Sequence, residues 1–300
     1  MKAYGFTEHG GPETQTFLDL PTPEPGPSEL LVAVHAAGVN PADVKIRAGA
    51  FGPAASLPAV MGREASGVVE AVGRDVDGFA PGDEVFGTVA PTSGAFAEHA
   101  LLTAASAARK PPQVSFADAA TLPVAGATAY DALAQLGLAA GQTLLVVGIG
   151  GGVGVVAAQL GRDAGLTVVG TASESKRELV ESLDATLVTY GDGVADRIRQ
   201  ILPDGVDGIL DLIGGDALRA VAGLGGRIVS TADPDTAAGC GGEYVRRAQP
   251  AGTLAALAQL VAAGKLDPHV EDVLPLDEAP AAIAAVEGGH PRGKVVVAVR

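Results

Sequence analysis

The sequence predicts an α/β chain in two parts: a mainly β domain, and a doubly wound parallel sheet with helices on both faces. Three observations carry this. Residues 1–100 or so read as short strands punctuated by turn residues. From Leu144 onward, apolar strands alternate with helical segments, the pattern of a parallel sheet. Between these regions, the uninterrupted apolar run 144–147 breaks into Gly148-Ile149-Gly150-Gly151-Gly152-Val153-Gly154. Helical apolar spacing then resumes at Val155, Val156, Gln159 and Leu160.

Taken in order, Pro21-Thr22-Pro23-Glu24-Pro25-Gly26-Pro27 is a stiff surface connector that no helix or central strand could contain. Strands are expected at 30–37, 66–73 and 82–87. Residues 116–138 turn helical and lead into the strand at Leu144. A second apolar strand, 166–171, follows one helix after the glycines and completes a β-α-β unit. Further strands are expected at 206–212 and 227–231, and a helix at 253–261 ending at Gly264. The tail carries a helix over 277–287 and a last strand over 294–299. That tail resembles the β part, which makes the α/β part an insertion: 1–120 with 266–300 on one side, 121–265 on the other. Cys240 falls in a glycine-rich loop over 232–242.

Glycines at the 148–154 turn allow positive φ and let a phosphate approach the backbone at the positive end of the next helix. The spacing is Gly148-x-x-Gly151-x-x-Gly154 rather than G-x-G-x-x-G, with the same mechanics. In a chain with 42 glycines the loop alone is weak evidence. Its position between strand and helix makes it a dinucleotide site.

Composition narrows the function. Of the 300 residues, 47% are hydrophobic but only 4% aromatic, with no Trp, so Ala, Val, Leu and Gly fill the cores. A net charge of −15 disfavours nucleic acid and anionic membranes as partners. One cysteine excludes an intrachain disulfide framework. The start lacks a signal-peptide pattern and no apolar run reaches spanning length, so a cytosolic location is expected.

The stretches Gly38-Val39-Asn40-Pro41-Ala42-Asp43, Gly62-Arg63-Glu64-Ala65-Ser66-Gly67, Pro81-Gly82-Asp83-Glu84-Val85, Gly126-Ala127-Thr128-Ala129-Tyr130, the Gly148 to Gly154 loop and Gly293-Lys294-Val295-Val296 occur together and in order. With them the chain resembles the medium-chain dehydrogenase/reductase superfamily, and within it the zinc-independent, zeta-crystallin-like quinone oxidoreductases. The resemblance implies a GroES-like catalytic domain, a Rossmann domain, a cleft between them and a homodimer. The chain is short for that family, with a trimmed helix over 216–224.

Zinc-dependent relatives hold a catalytic metal with Cys, His and Cys; the resembling positions here are Asn40, Arg63 and Val124, none a zinc ligand. The five histidines (His9, His35, His99, His269, His290) are dispersed. No catalytic metal is therefore expected. Arg63 stands where the family points a side chain into the cleft. It either stabilises charge on an acceptor oxygen or pairs with Glu64 or Asp43 as a structural ion pair. The resemblance sets Asn40 beside the nicotinamide, though a short amide before Pro41 is also a common turn residue. Related enoyl-thioester reductases carry a Gly-x-Tyr-Gly proton donor. The matching stretch here is Gly49-Ala50-Phe51-Gly52, without the phenol.

The tip of the second strand, Gly170-Thr171-Ala172-Ser173, carries no acid to bind a ribose 2′-hydroxyl. Small hydroxyls with Lys176 and Arg177 suit a 2′-phosphate instead. The resemblance carries Ser173, Lys176 and Tyr190 onto that role, with Glu174 a dissenting neighbour. Alternatively the cations solvate the helix, with Ser175 and Glu178 as a capping box. The expected cofactor is NADPH. It would be held by Gly148, Gly151, Gly152, Val153, Gly154, Ser173, Lys176, Arg177 and Tyr190, with Asn40 and Thr128 at its nicotinamide end. The expected reaction is hydride transfer to a quinone or an α,β-unsaturated carbonyl. A trans-acting enoyl-thioester reductase, or a low-turnover NADPH-binding redox sensor, are the alternatives.

Overall fold

The computed structural model describes residues 1–52, 56–248, 251–289 and 291–300. The chain divides into two compact units, Met1–Val124 with Gln249–Arg300, and Ala125–Ala248.

The first unit is organised around the strand Glu29–Gly38. It pairs with Glu64–Val72, with Lys294–Ala298 and with His99–Arg109. Glu84–Val89 bridges Glu64–Val72 to His99–Arg109 and closes the sheet on itself. A strand with partners on both edges faces core on nearly its whole length. Its run Leu30 to Val34 is accordingly buried, together with Phe6, Phe86, Phe96 and Leu102. Val270–Pro275 extends the sheet beyond Lys294–Ala298. A smaller sheet joins Gln15–Asp19, Lys2–Phe6 and Ala59–Val60. The strands expected at 30–37, 66–73 and 82–87 are present with shifted ends. Lys2–Phe6, Gln15–Asp19 and His99–Arg109 lacked a sequence signal clear enough to assign.

In the second unit six strands run parallel, in the order Thr186–Thr189, Thr167–Ala172, Thr143–Val147, Gly208–Asp211, Arg227–Ser230 and Glu243–Tyr244. Chain order reverses at Thr143–Val147, whose neighbours are the next strand on one side and Gly208–Asp211 on the other. Its carboxyl end is therefore the topological switch point where ligands bind in such sheets. The Gly148 to Gly154 turn leaves from that end.

Three expectations change. Helix Ala251–Ala262 belongs with the first unit, not with the parallel sheet. It buries Leu254, Leu257 and Ala258, a helical i, i+3, i+4 stripe, and packs against His99–Arg109. Residues 232–242 are not a loop: Asp233 caps helix Pro234–Gly239 by accepting from the Thr236 amide at 2.9 Å, and Cys240 ends it. The edge strand Glu243–Tyr244 follows. Residues 116–138 split into Phe116–Ala119, a π-helical turn Leu122–Gly126, and helix Ala127–Leu136, which stops at Gly137 with φ +60°. Among the described residues no helix is long and apolar enough to cross a membrane.

Arg47, at the end of helix Pro41–Arg47, is 2% exposed. Its guanidinium pairs with Glu287 at 2.7 Å and donates to the Gly10 carbonyl, tying the N-terminal turn to the C-terminal helix Ala279–Glu287. Glu287 is exposed and stays solvated without Arg47, so the loss is that of the buried guanidinium's hydrogen bonds and packing. Arg47→Ala is expected to cost about 1.5–3 kcal/mol in denaturant unfolding. A cost below about 1 kcal/mol would show that the pair does not brace the unit.

Candidate functional site

The glycine turn has the geometry of a phosphate cradle. Gly148 sits at φ +92°, and its amide donates to the Thr171 carbonyl at 3.1 Å. Helix Gly152–Asp163 begins at Gly151 without a side-chain cap, so the amides of Gly152, Val153 and Gly154 have no acceptor before the first helical bond, Val155 N–H to Gly151. A Cβ on Gly154 would lie 2.5 Å from the Ile149 carbonyl oxygen, so only glycine lets helix and strand approach so closely. A Cβ on Gly151 would meet nothing nearer than 3.8 Å, leaving open space in front of those amides. Open space and unspent donors at a helix N-terminus fit a pyrophosphate.

The strand register brings the ribose-end residues together. Thr189 pairs with Ala172, so Tyr190 and Ser173 follow side by side at adjacent strand tips. Ser173 precedes the 3-10 turn Glu174–Lys176, and its hydroxyl lies 2.9 Å from that of Ser175. The capping box of Ser175 with Glu178, the alternative reading, does not form: Ser175 turns to Ser173 and helix Arg177–Ser182 starts without a side-chain cap. Lys176 reaches back to donate to the Gly150 carbonyl at 3.1 Å, which puts its ammonium at the glycine turn. Arg177 forks onto Glu174 at 2.8 Å and Glu181 at 3.0 Å, and that hydrogen-bonded guanidinium holds the Glu174 carboxyl below its usual range. Glu174 is thus occupied by Arg177, and neither side chain is spent at the strand tip. Tyr190 is largely exposed and Thr128 is buried at the start of helix Ala127–Leu136.

In the first unit the motif residues meet in a buried polar cluster. Glu64 is fully buried. It accepts from Lys294 Nζ at 2.9 Å and Asn40 Nδ2 at 2.7 Å on one oxygen, and from the Val124 amide at 2.7 Å on the other. Lys294 also donates to Asn40 Oδ1 at 2.7 Å and to the Val39 carbonyl. Asn40 is therefore more than a turn residue: both ends of its amide are held. The Asn40 backbone N–H donates to Asp43 Oδ2 at 2.8 Å and opens helix Pro41–Arg47. Sequence reasoning did not name Glu64, Asp43 and Lys294 as site residues, although all three stand in the motifs; a charge at the head of an apolar strand, as at Lys294-Val295-Val296-Val297, is a signal for Glu64 and Lys294, while Asp43, on helix Pro41–Arg47, carries none.

Arg63 makes no salt bridge to any described carboxylate, since Glu64 turns to Lys294 and Asp43 to Asn40. Of the two alternatives for Arg63, the ion pair with Glu64 or Asp43 does not form among the described residues, and Glu64 pairs with Lys294 instead. Half-buried, Arg63 lines a cavity of about 370 Å³ with Asp43, Ile46, Pro58, Val60 and Met61. Asp43 is 2% exposed and its Oδ1 has no hydrogen-bond partner. Burial pushes its carboxyl up to about 7, aided by the charge of Glu64 and opposed by the Asn40 amide, Lys294 and Arg63. Phe51 is exposed, in a turn before Gly52.

Among the described residues no three His, Cys, Asp or Glu side chains stand close enough to hold a metal ion. Val124 offers only its amide to Glu64. His290 lies outside the described residues.

A closed β unit with buried polar motif residues, and a parallel sheet with an uncapped glycine turn at its switch point, define a nucleotide-dependent oxidoreductase. Family models agree: "Alcohol dehydrogenase GroES-like domain" matches residues 26–112 and "Zinc-binding dehydrogenase" residues 183–297. The chain is 32% identical to human quinone oxidoreductase over 76% of its length and 72% of that protein. It is also 32% identical to the NADPH-dependent alkenal/one oxidoreductase of Arabidopsis thaliana, over 99% of this chain and 79% of that one. The solved quinone oxidoreductase of Coxiella burnetii superposes with a TM-score of 0.92 at 33% identity, covering 100% of this chain and 99% of the other. The chain belongs to the quinone oxidoreductase family of the medium-chain dehydrogenase/reductase superfamily, and it is an enzyme.

The Asp43 carboxyl has a consequence for stability. Its folded pKa of about 7 lies above the ordinary 3.8, so the native state keeps a proton that the unfolded chain releases. Its contribution is intact below about pH 4 and is lost as pH rises through 7, by as much as about 4 kcal/mol. Asp43→Asn removes that dependence and still accepts from the Asn40 amide. Unfolding at pH 5 and pH 8 is expected to show wild type losing more stability than the variant over this interval; parallel losses would show that Asp43 is ionised throughout.

Proposed function

We propose that this protein is a zinc-independent NADPH-dependent reductase of quinones and α,β-unsaturated carbonyls. The observation that carries the reading is Arg63, a cation with no carboxylate partner on the wall of a largely apolar cavity. A neutral, hydrophobic acceptor fits such a wall, and a guanidinium beside it stabilises the oxyanion formed on reduction. The names of the relatives, quinone oxidoreductase and alkenal/one oxidoreductase, point to the same two acceptor classes.

NADPH, when bound, supplies the hydride. The amides of Gly152, Val153 and Gly154 would take its pyrophosphate, and Ser173, Lys176 and Tyr190 its 2′-phosphate. Arg177 is relegated to the helix surface by its two carboxylates. Thr128 is assigned to the nicotinamide end. Asn40 acts by holding the Glu64–Lys294 cluster in place, behind the wall that carries Arg63 and Asp43. Asn40, Arg63 and Val124 offer no thiolate or imidazole at the positions that bind zinc in metal-dependent relatives, so charge stabilisation falls to Arg63. The cytosolic homodimer expected from the sequence belongs to the same proposal.

Two measurements test this. Chelator-treated protein is expected to oxidise NADPH anaerobically with an ortho-quinone and with a simple alkyl enone; loss of turnover on chelation, restored by zinc, would overturn zinc independence. Lys176→Ala should raise KM for NADPH about tenfold or more and leave KM for NADH nearly unchanged, while Arg177→Ala changes either little. Equal effects of Lys176→Ala on both nucleotides would remove the 2′-phosphate assignment.

A further inference from the structure

Reduction of an enone needs a proton as well as a hydride, and the stretch that carries a phenolic donor in related reductases has Phe51 here, exposed and unable to donate. Another group in the same unit has the required properties. Asp43 lines the Arg63 cavity, is buried, and has one oxygen, Oδ1, that no described group engages. Its second oxygen accepts from the Asn40 amide at 2.8 Å, which fixes the carboxyl plane and leaves Oδ1 as the place for a proton. An unpartnered buried oxygen is costly unless something meets it.

Resting on the reductase reading above, we propose that Asp43 is the acid that protonates the reduced enone. Hydride addition at the β-carbon places an electron pair in the enolate. The Asp43 O–H bond then breaks, its proton forms the new C–H bond at the α-carbon, and the bonding pair stays on the carboxylate. Water returns the proton afterwards, so Asp43 is regenerated and no further reactant is needed. The surroundings suit the cycle. Burial, with the charge of Glu64, raises the carboxyl to about 7, where it can both give and regain a proton, while Arg63 and Lys294 steady the carboxylate left behind. A quinone makes a smaller demand, because a hydroquinone oxygen exchanges its proton with solvent directly.

The test compares wild type, Asp43→Asn and Asp43→Glu, with an alkyl enone and an ortho-quinone as acceptors, from about pH 5 to 9. For wild type, kcat with the enone should fall as pH rises through roughly 7, and infrared titration should show a protonated carboxyl that ionises over the same range and is missing in Asp43→Asn. Asp43→Asn should lose about 10²–10⁴-fold in kcat with the enone, far more than with the quinone, together with the pH limb. Asp43→Glu should recover part of the enone rate and the limb. Equal losses on both acceptors, a limb that survives in Asp43→Asn, or a carboxyl ionised throughout would overturn the role of Asp43 while leaving the reductase reading intact. Wild type that reduces neither acceptor would bring down both, on the wild-type measurement alone.

Discussion

The first unit depends on one buried ion pair, Glu64 with Lys294. A carboxylate and an ammonium taken out of water must be matched closely or the fold loses more than it gains. Here the match is complete on the carboxylate side: Lys294, the Asn40 amide and the Val124 N–H all converge on Glu64. The pair joins residues 230 positions apart, so the last strand cannot dock without settling the first motif. Asn40 is held between the two charges, and through its backbone it holds Asp43. A sheet closed around an unmatched charge would be unstable; closed around this cluster, it fixes the wall of the cavity.

The charge arithmetic of that wall then follows. Lys294 pairs with Glu64, and burial, with the charge of Glu64, raises the Asp43 carboxyl to about 7. Arg63 is left as the cation that no described carboxylate pairs with. The cavity wall thus carries one guanidinium and one carboxyl group that burial shifts towards its neutral form.

In the second unit the deciding constraint is backbone proximity. Glycine at 154 lets the helix start against the strand, and an uncapped first turn leaves its amides for an anion. The neighbouring strand tips gather Ser173 and Tyr190 by register, and Lys176 folds back over the turn. Arg177, one residue later, faces the other way and spends itself on Glu174 and Glu181. Lys176 closes the 3-10 turn and Arg177 opens the helix after it, so the two cations, adjacent in sequence, point to different partners.

Local signals were enough for the parallel sheet, the glycine turn and the β character of the first unit. Apolar runs, glycine spacing and turn residues act over a few positions, so they can be read without knowing what lies nearby in space. Short strands such as Gln15–Asp19, with three of five residues exposed, carry no such pattern. Helix Ala251–Ala262 showed its own period but not its partner, and only packing on His99–Arg109 assigned it to the first unit. The charged residues followed the same division. Sequence placed Arg63 among the candidates and left open whether it stabilises an acceptor oxygen or pairs with Glu64 or Asp43. Against the pairing with Glu64 stands Lys294, which long-range strand pairing brings to Glu64, because a buried charge takes whichever partner the closed sheet delivers.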